Sequence, residues 1–204
     1  MSCCKKNLRT LGLFLFMALP VILHGYPDAA AQEDPAEFDS QVLAMAKACQ
    51  EEVAAQFKNL IATNKLSLAQ LFDTFYIPIP NTNPQKYRTQ YDKYTDETIR
   101  IILDKYLEMD PRLKFVVAVD RNGYLPTHNT KYSKPLTGDG DYDTKNNRTK
   151  RMFNDRTGLA AARNDKPFFL QKYQRDTGVE MKDLSVPIVI QGRHWGAIRI
   201  GYQQ

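Results

Sequence analysis

The chain has 204 residues, of which 43% are hydrophobic and 25% charged, with a formal net charge of +5. That length suits one well-buried domain and is short for two. The ordinary apolar and charged fractions exclude a disordered or fibrous protein.

At the N-terminus, Lys5, Lys6 and Arg9 precede an apolar run from Leu11 to Leu23, and Ala29, Ala30 and Ala31 supply small residues for a signal peptidase. Residues 1–31 are therefore expected to be a secretory signal peptide cleaved after Ala31, which places the mature chain, residues 32–204, in the periplasm or outside the cell. The apolar run is shorter than the roughly 20 residues of a spanning helix, so a retained anchor is the alternative. Cys3 and Cys4 lie ahead of the run rather than at a cleavage site, which argues against lipid modification. Cleavage removes three basic and one acidic side chain, lowering the charge from +5 to +3. That mild excess is no nucleic-acid footprint. Only Cys49 remains, so no intramolecular disulfide can form and the domain must hold together by packing.

Asp39 or Ser40 is placed to cap a helix running to about Thr63. Val42, Ala46, Cys49, Val53, Phe57 and Leu60 form one stripe at steps of three and four, fit either to pair with a second copy in a homodimer or to pack on its own domain. A short helix follows from Leu66 to Phe72. Phe75 to Pro84 is extended, because Pro78, Pro80 and Pro84 forbid helix. A third helix, capped by Thr95 or Asp96, carries Ile99, Ile102, Leu103, Tyr106 and Leu107 on its apolar face.

Phe115 to Val119 is a short, mostly β-branched apolar run that reads as a buried strand. Asp120 to Gly123 is a turn, and Tyr124 to Asn129 is expected to return as the second strand of a hairpin, with Pro126 at an unpaired edge. Thr130 to Asn147 is a polar loop long enough to cover something. A short helix is expected within Arg148 to Ala162, interrupted near Thr157 and Gly158. Phe168 to Gln174, Val179 to Ile190 and Arg193 to Tyr202 then form an antiparallel meander through turns at Asp176-Thr177-Gly178 and Gln191-Gly192. The expected fold is α+β, a five-stranded antiparallel sheet with a long N-terminal helix.

Three segments, residues 120–129 (Asp-Arg-Asn-Gly-Tyr-Leu-Pro-Thr-His-Asn), residues 147–158 (Asn-Arg-Thr-Lys-Arg-Met-Phe-Asn-Asp-Arg-Thr-Gly) and residues 192–196 (Gly-Arg-His-Trp-Gly), occur in one order. Together with the segment from Phe75 to Pro80 and Asn83-Pro84, they resemble the PAS-like or single-Cache-type sensory module of bacterial methyl-accepting chemotaxis proteins. The resemblance covers roughly residues 38–204. It implies a five-stranded PAS/Cache-like sheet behind the N-terminal helix, and a small-molecule pocket between the sheet and the segment after the first hairpin. Members of that family carry a long methylated coiled-coil signalling region, which this sequence does not contain. Output is therefore expected through a separate partner, such as a membrane receptor or a kinase.

His128 could donate to a ligand carboxylate or ligate a metal or haem; otherwise it is a structural histidine bonded to loop backbone. His194 is expected to share a strand face with Ile198 and Ile200, with Trp195 opposite as a core anchor. Covalent haem needs Cys-x-x-Cys-His, which is absent. Nothing in the histidine spacing argues for zinc. The run from Asp139 to Asp143 begins like a calcium loop, but its sixth position is Thr144 and its twelfth Lys150, so it reads as a solvated loop. There is no Gly-x-Ser-x-Gly and no glycine-rich phosphate loop, and Cys49 lies on an apolar stripe. Ser133 or Ser185 meeting His128 is the remaining hydrolytic arrangement, and no activating third group can be named for it. The chain is thus expected not to be an enzyme, and to need neither metal nor cofactor.

Among the basic residues Arg148, Lys150, Arg151, Arg156 and Arg163, the pair Arg148 and Arg151 stands a helical step apart at an expected helix start. Tyr173 and Asp183 fall on neighbouring strands, Asp183 amid apolar sequence. The candidate ligand-binding residues are Tyr124, His128, Arg148, Arg151, Tyr173 and Asp183. The expected function is that of an exported domain that binds a small, anionic organic molecule and passes occupancy to a partner by a shift of its N-terminal helix. The rivals are a scaffold whose pocket is filled by its own side chains, and a periplasmic hydrolase or noncovalent haem carrier using His128.

Overall fold

The computed structural model describes Met1, residues 35–174 and residues 180–203. The expected cleavage site, the signal peptide beyond Met1 and the turn at Asp176-Thr177-Gly178 lie outside the described residues. The described residues from Pro35 onward form one compact unit. Among the described residues no helix is long and apolar enough to cross a membrane.

Helix α1 (Pro35–Ala62) starts a turn before the expected cap. Asp39 is therefore inside the helix, where its carboxylate accepts hydrogen bonds from Lys182 Nζ (2.8 Å) and Tyr202 Oη (2.7 Å). The stripe from Val42 to Leu60 is fully buried against the domain's own sheet. Each such Val, Leu or Phe contributes roughly 1.5–3 kcal/mol on burial. Of the two arrangements expected for that stripe, the structure shows packing on its own domain.

Helix α2 (Leu68–Leu71) is closed by a reciprocal cap between Ser67 and Gln70. Strands β1 (Ile77–Ile79) and β2 (Lys86–Arg88) pair as a small antiparallel ribbon. Helix α3 (Asp92–Tyr94) continues through one wide turn, Thr95–Ile99, into α4 (Arg100–Leu107). It begins earlier than Thr95 because the Thr89 amide and hydroxyl donate to the Asp92 carboxylate and fix the preceding turn.

The main sheet has four antiparallel strands, not five: β3 (Leu113–Asp120), β6 (Phe169–Gln174), β7 (Glu180–Ile190) and β8 (Arg193–Tyr202), in the order β3-β8-β7-β6. The expected meander forms, and Gln191 and Gly192, both at positive φ, make the two-residue turn between β7 and β8. The missing fifth strand is β4, only Tyr124–Leu125, which pairs instead with β5 (Arg151–Met152). Two local features divert it. Pro126 has no N–H to extend a ladder, and the Val116 amide on β3 is already taken by Asn129 Oδ1 at 3.0 Å. Gly123 is needed for this diversion, since a Cβ there would stand 2.3 Å from the Phe153 carbonyl oxygen.

Residues 130–147, expected as a loop, contain helix α5 (Gly140–Asn146), capped by Asp139. The expected helix start at Arg148 is also corrected. Arg151 lies in β5, and helix α6 (Arg156–Ala162) begins only after Asp155, whose carboxylate accepts the Gly158 amide.

One face of the sheet, bearing Val116, Ala118, Leu184, Val186, Ile188, Ile198 and Ile200, packs on α1. Trp195 joins this face, whereas alternation had placed it opposite Ile198. The register shifts where Ile188 pairs with Gly196 and Val189 with His194, leaving Trp195 as the extra residue of a bulge. Its indole donates to the Leu71 carbonyl at 2.9 Å.

Candidate functional site

The other face of the sheet carries Phe115, Val117 and Val119 from β3, Arg199 from β8 and Tyr173 from β6. Across from it stand residues of the covering segments: Leu125 of β4, His128, Tyr132, Arg148, Phe153, Asp155 and Thr157. Between them lies a cavity of about 420 Å³, within the range of small-molecule pockets. Register explains the floor. Val117 pairs with Arg199, and Phe115 pairs with Gly201, so these four occupy adjacent positions on one face. Gly201 leaves room for the Phe115 ring, since a Cβ there would stand 2.1 Å from it.

Arg199 is the charged group in that floor. It is buried, and its Nε donates to Asp183 Oδ2 at 3.2 Å, with a second, shorter contact from Nη2. Burial disfavours its charge, but Asp183 outweighs burial and holds the guanidinium above its ordinary range. Gln171 Nε2 donates to the same carboxylate at 3.1 Å and to the Thr157 carbonyl at 3.0 Å, linking the floor to α6.

Of the six expected residues, His128, Arg148 and Tyr173 line the cavity. Arg151 does not. It sits beside Arg148 over the outer ring of Phe153 (5.2 Å) and donates to the Thr144 carbonyl. Asp183 acts from below through Arg199. Tyr124 lies elsewhere, in the core: its hydroxyl donates to the Asp92 carboxylate (2.9 Å), and its ring packs against Tyr76 and Tyr91. The reason is the diverted β4, which turns Tyr124 away from the cavity and Leu125 into it. Arg199, Phe115, Tyr132, Phe153 and Asp155 were missed. Arg199 had a legible signal, a lone arginine in the apolar run from Ala197 to Ile200.

His128 is 4% exposed and packs between Tyr132 (4.7 Å between ring centroids) and Phe115 (6.4 Å). Its Nδ1 accepts the Asn129 amide at 2.7 Å. Burial, reinforced by the positive charges of Arg148, Lys131 and Arg151, pushes its pKa well below the usual imidazole range. The ring is therefore neutral, with its proton on Nε2. Ser133 Oγ donates to the His128 and Asn129 carbonyls and Ser185 Oγ to the Phe169 carbonyl, so neither serine meets the imidazole as a nucleophile. Among the described residues no three His, Cys, Asp or Glu side chains gather to hold a metal. The Asp139 and Asp143 carboxylates of the calcium-like run are engaged by backbone amides of α5 and of the turn at Thr137.

No family model matches the chain, and no curated protein matches it. Among solved structures it is similar to an extracellular ligand binding receptor from Desulfohalobium retbaense DSM5692, with 16% identity and a TM-score of 0.38 over 78% of this chain. The match spans 24% of that receptor chain.

Proposed function

We propose that this chain is an exported sensory domain that binds a small anionic organic molecule in the cavity between sheet and covering segments, and that it is not an enzyme. The observation that carries the reading is the wall around His128, a buried neutral imidazole whose charged neighbours Arg148, Lys131 and Arg151 are all positive. Such a wall favours an anion and supplies a hydrogen-bond donor to it. An open volume of about 420 Å³ opposes the scaffold alternative, which needs that space filled by side chains. Output runs through a separate receptor or kinase. Asp39 of α1 holds Lys182, the neighbour of Asp183, so a change at the Arg199 and Asp183 pair has a short route to the helix.

Thermal unfolding of the purified protein against a panel of carboxylates, amino acids and amines tests this. A ligand that binds only the folded state raises the midpoint by mass action. Carboxylates should raise it and amines should not; no shift from any carboxylate refutes the proposal, and a Soret band in purified material would favour haem carriage.

A further inference from the structure

The ligand-binding reading leaves the shape of the anion undefined, and the lining narrows it. Beside the Arg199 guanidinium, Phe115, Val117 and Val119 of the floor and Leu125 of the covering segment form an apolar patch in the lining. His128, packed beside Phe115, has its Nδ1 filled by the Asn129 amide, while its Nε2 makes no hydrogen bond among the described residues. Its Nε2–H is open to the cavity rather than buried in protein, so a ligand acceptor can reach it there. The remaining charged groups do not invite a second anion: Arg199 is matched by Asp183, and Asp155 itself lines the cavity.

We infer that the cavity takes a monocarboxylate with an aromatic or branched aliphatic body, its carboxylate accepting the Nε2–H of His128 beside Arg148 and its body lying over Phe115, Val117 and Leu125. This inference rests on the proposed function and goes further in naming one carboxylate and an apolar body. Small dianions lose to it because the lining also carries Asp155 and the Arg199 charge is already matched by Asp183. Neutral analogues lose because the wall around His128 is positive.

Calorimetric titration of the purified protein with phenylacetate, phenylacetamide, acetate and succinate separates the outcomes. Phenylacetate should bind at least about tenfold tighter than each of the others, since phenylacetamide gives up the charged acceptor, acetate the buried ring, and succinate buries a second, unmatched charge. Succinate or acetate binding as tightly as phenylacetate overturns the inference and leaves the anion-sensing reading standing. Phenylacetamide binding as tightly as phenylacetate overturns it by removing the need for charge. No binding by any of the four overturns the inference, and the wider carboxylate panel then decides the anion-sensing reading. In His128→Phe, which keeps a ring against Tyr132 and deletes the donor, phenylacetate affinity should fall about tenfold or more. His128→Gln, which returns an N–H, should recover part of it. Wild-type affinity in both folded variants removes His128 from the assignment.

Discussion

The Arg199 guanidinium and the Asp183 carboxylate form a buried pair in the centre of the sheet, on the face turned away from α1. Neither strand could carry its charge alone at that depth. Removing one partner strands the other in a low-dielectric site, a loss of about 3–5 kcal/mol, whereas an apolar replacement of both is far better tolerated. Urea denaturation should therefore show Asp183→Ala and Arg199→Met each strongly destabilised, and the double variant Asp183→Leu/Arg199→Met more stable than either. A double variant as unstable as the sum of the singles would refute this account of the pair.

His128 sets an acid limit on stability. Its folded pKa lies well below the unfolded value near 6.5, so below pH 6.5 the unfolded chain binds a proton that the folded chain refuses. Stability from this group is complete above that pH and falls as pH drops through it, by at most about 1.4 kcal/mol per pH unit for one proton. His194, lowered by its own burial, adds to the same trend. Asp92 and Asp120, both raised by burial, act oppositely toward more acid pH, where the folded chain takes up their protons first. Denaturation midpoints between pH 7.5 and 5 should fall for the wild type and fall less for His128→Gln; parallel curves would exclude the histidine as a cause.

Gly201 controls the cavity from underneath. A methyl group there would stand 2.1 Å from Phe115 Cε1, so Gly201→Ala must push that ring toward the open volume. The ring is a side chain that can move, and overpacking of this kind costs typically about 1–3 kcal/mol. The variant should fold and bind any cavity ligand more weakly than wild type in the same titration. Equal affinity would place the ligand away from Phe115.

The elements with strong local signals were legible. The stripe from Val42 to Leu60 has helical spacing, and Gln191-Gly192 is a tight-turn signal between two largely apolar runs, so helix and meander both appear where expected. The hairpin after Asp120 was misread because pairing is decided by a partner far away in sequence. Asn129 occupies the β3 edge and Arg151–Met152 supply the ladder for Tyr124–Leu125, and neither contact leaves a local pattern. The same error carried Tyr124 into the candidate site. The bulge at Trp195 shifted strand phase by one residue, which no alternation rule detects. His128 stood out as one of two histidines in residues 32–204, Arg148 as part of a basic run and Tyr173 by its strand next to that of Asp183, whereas Asp155 reads as an ordinary helix cap.

Lys86 fastens the covering segment. Its buried ammonium donates to the Asn147 carbonyl (3.0 Å), Asn147 Oδ1 (2.7 Å) and the Thr149 carbonyl (2.8 Å), tying the residues before β5 to β2. Lys86→Met keeps the apolar stem but leaves these acceptors unmet, at about 1–3 kcal/mol. Amide exchange at residues 147–153 should quicken in the variant while exchange in β7 and β8 stays slow. Burial, aided by Arg151, lowers the ammonium to a pKa of about 8, against 10.5 when unfolded. Between those values the unfolded chain holds more protons, so this group makes stability rise with pH, a trend that Lys86→Met should abolish. Unchanged exchange at residues 147–153 would show that the segment is held by something other than this lysine.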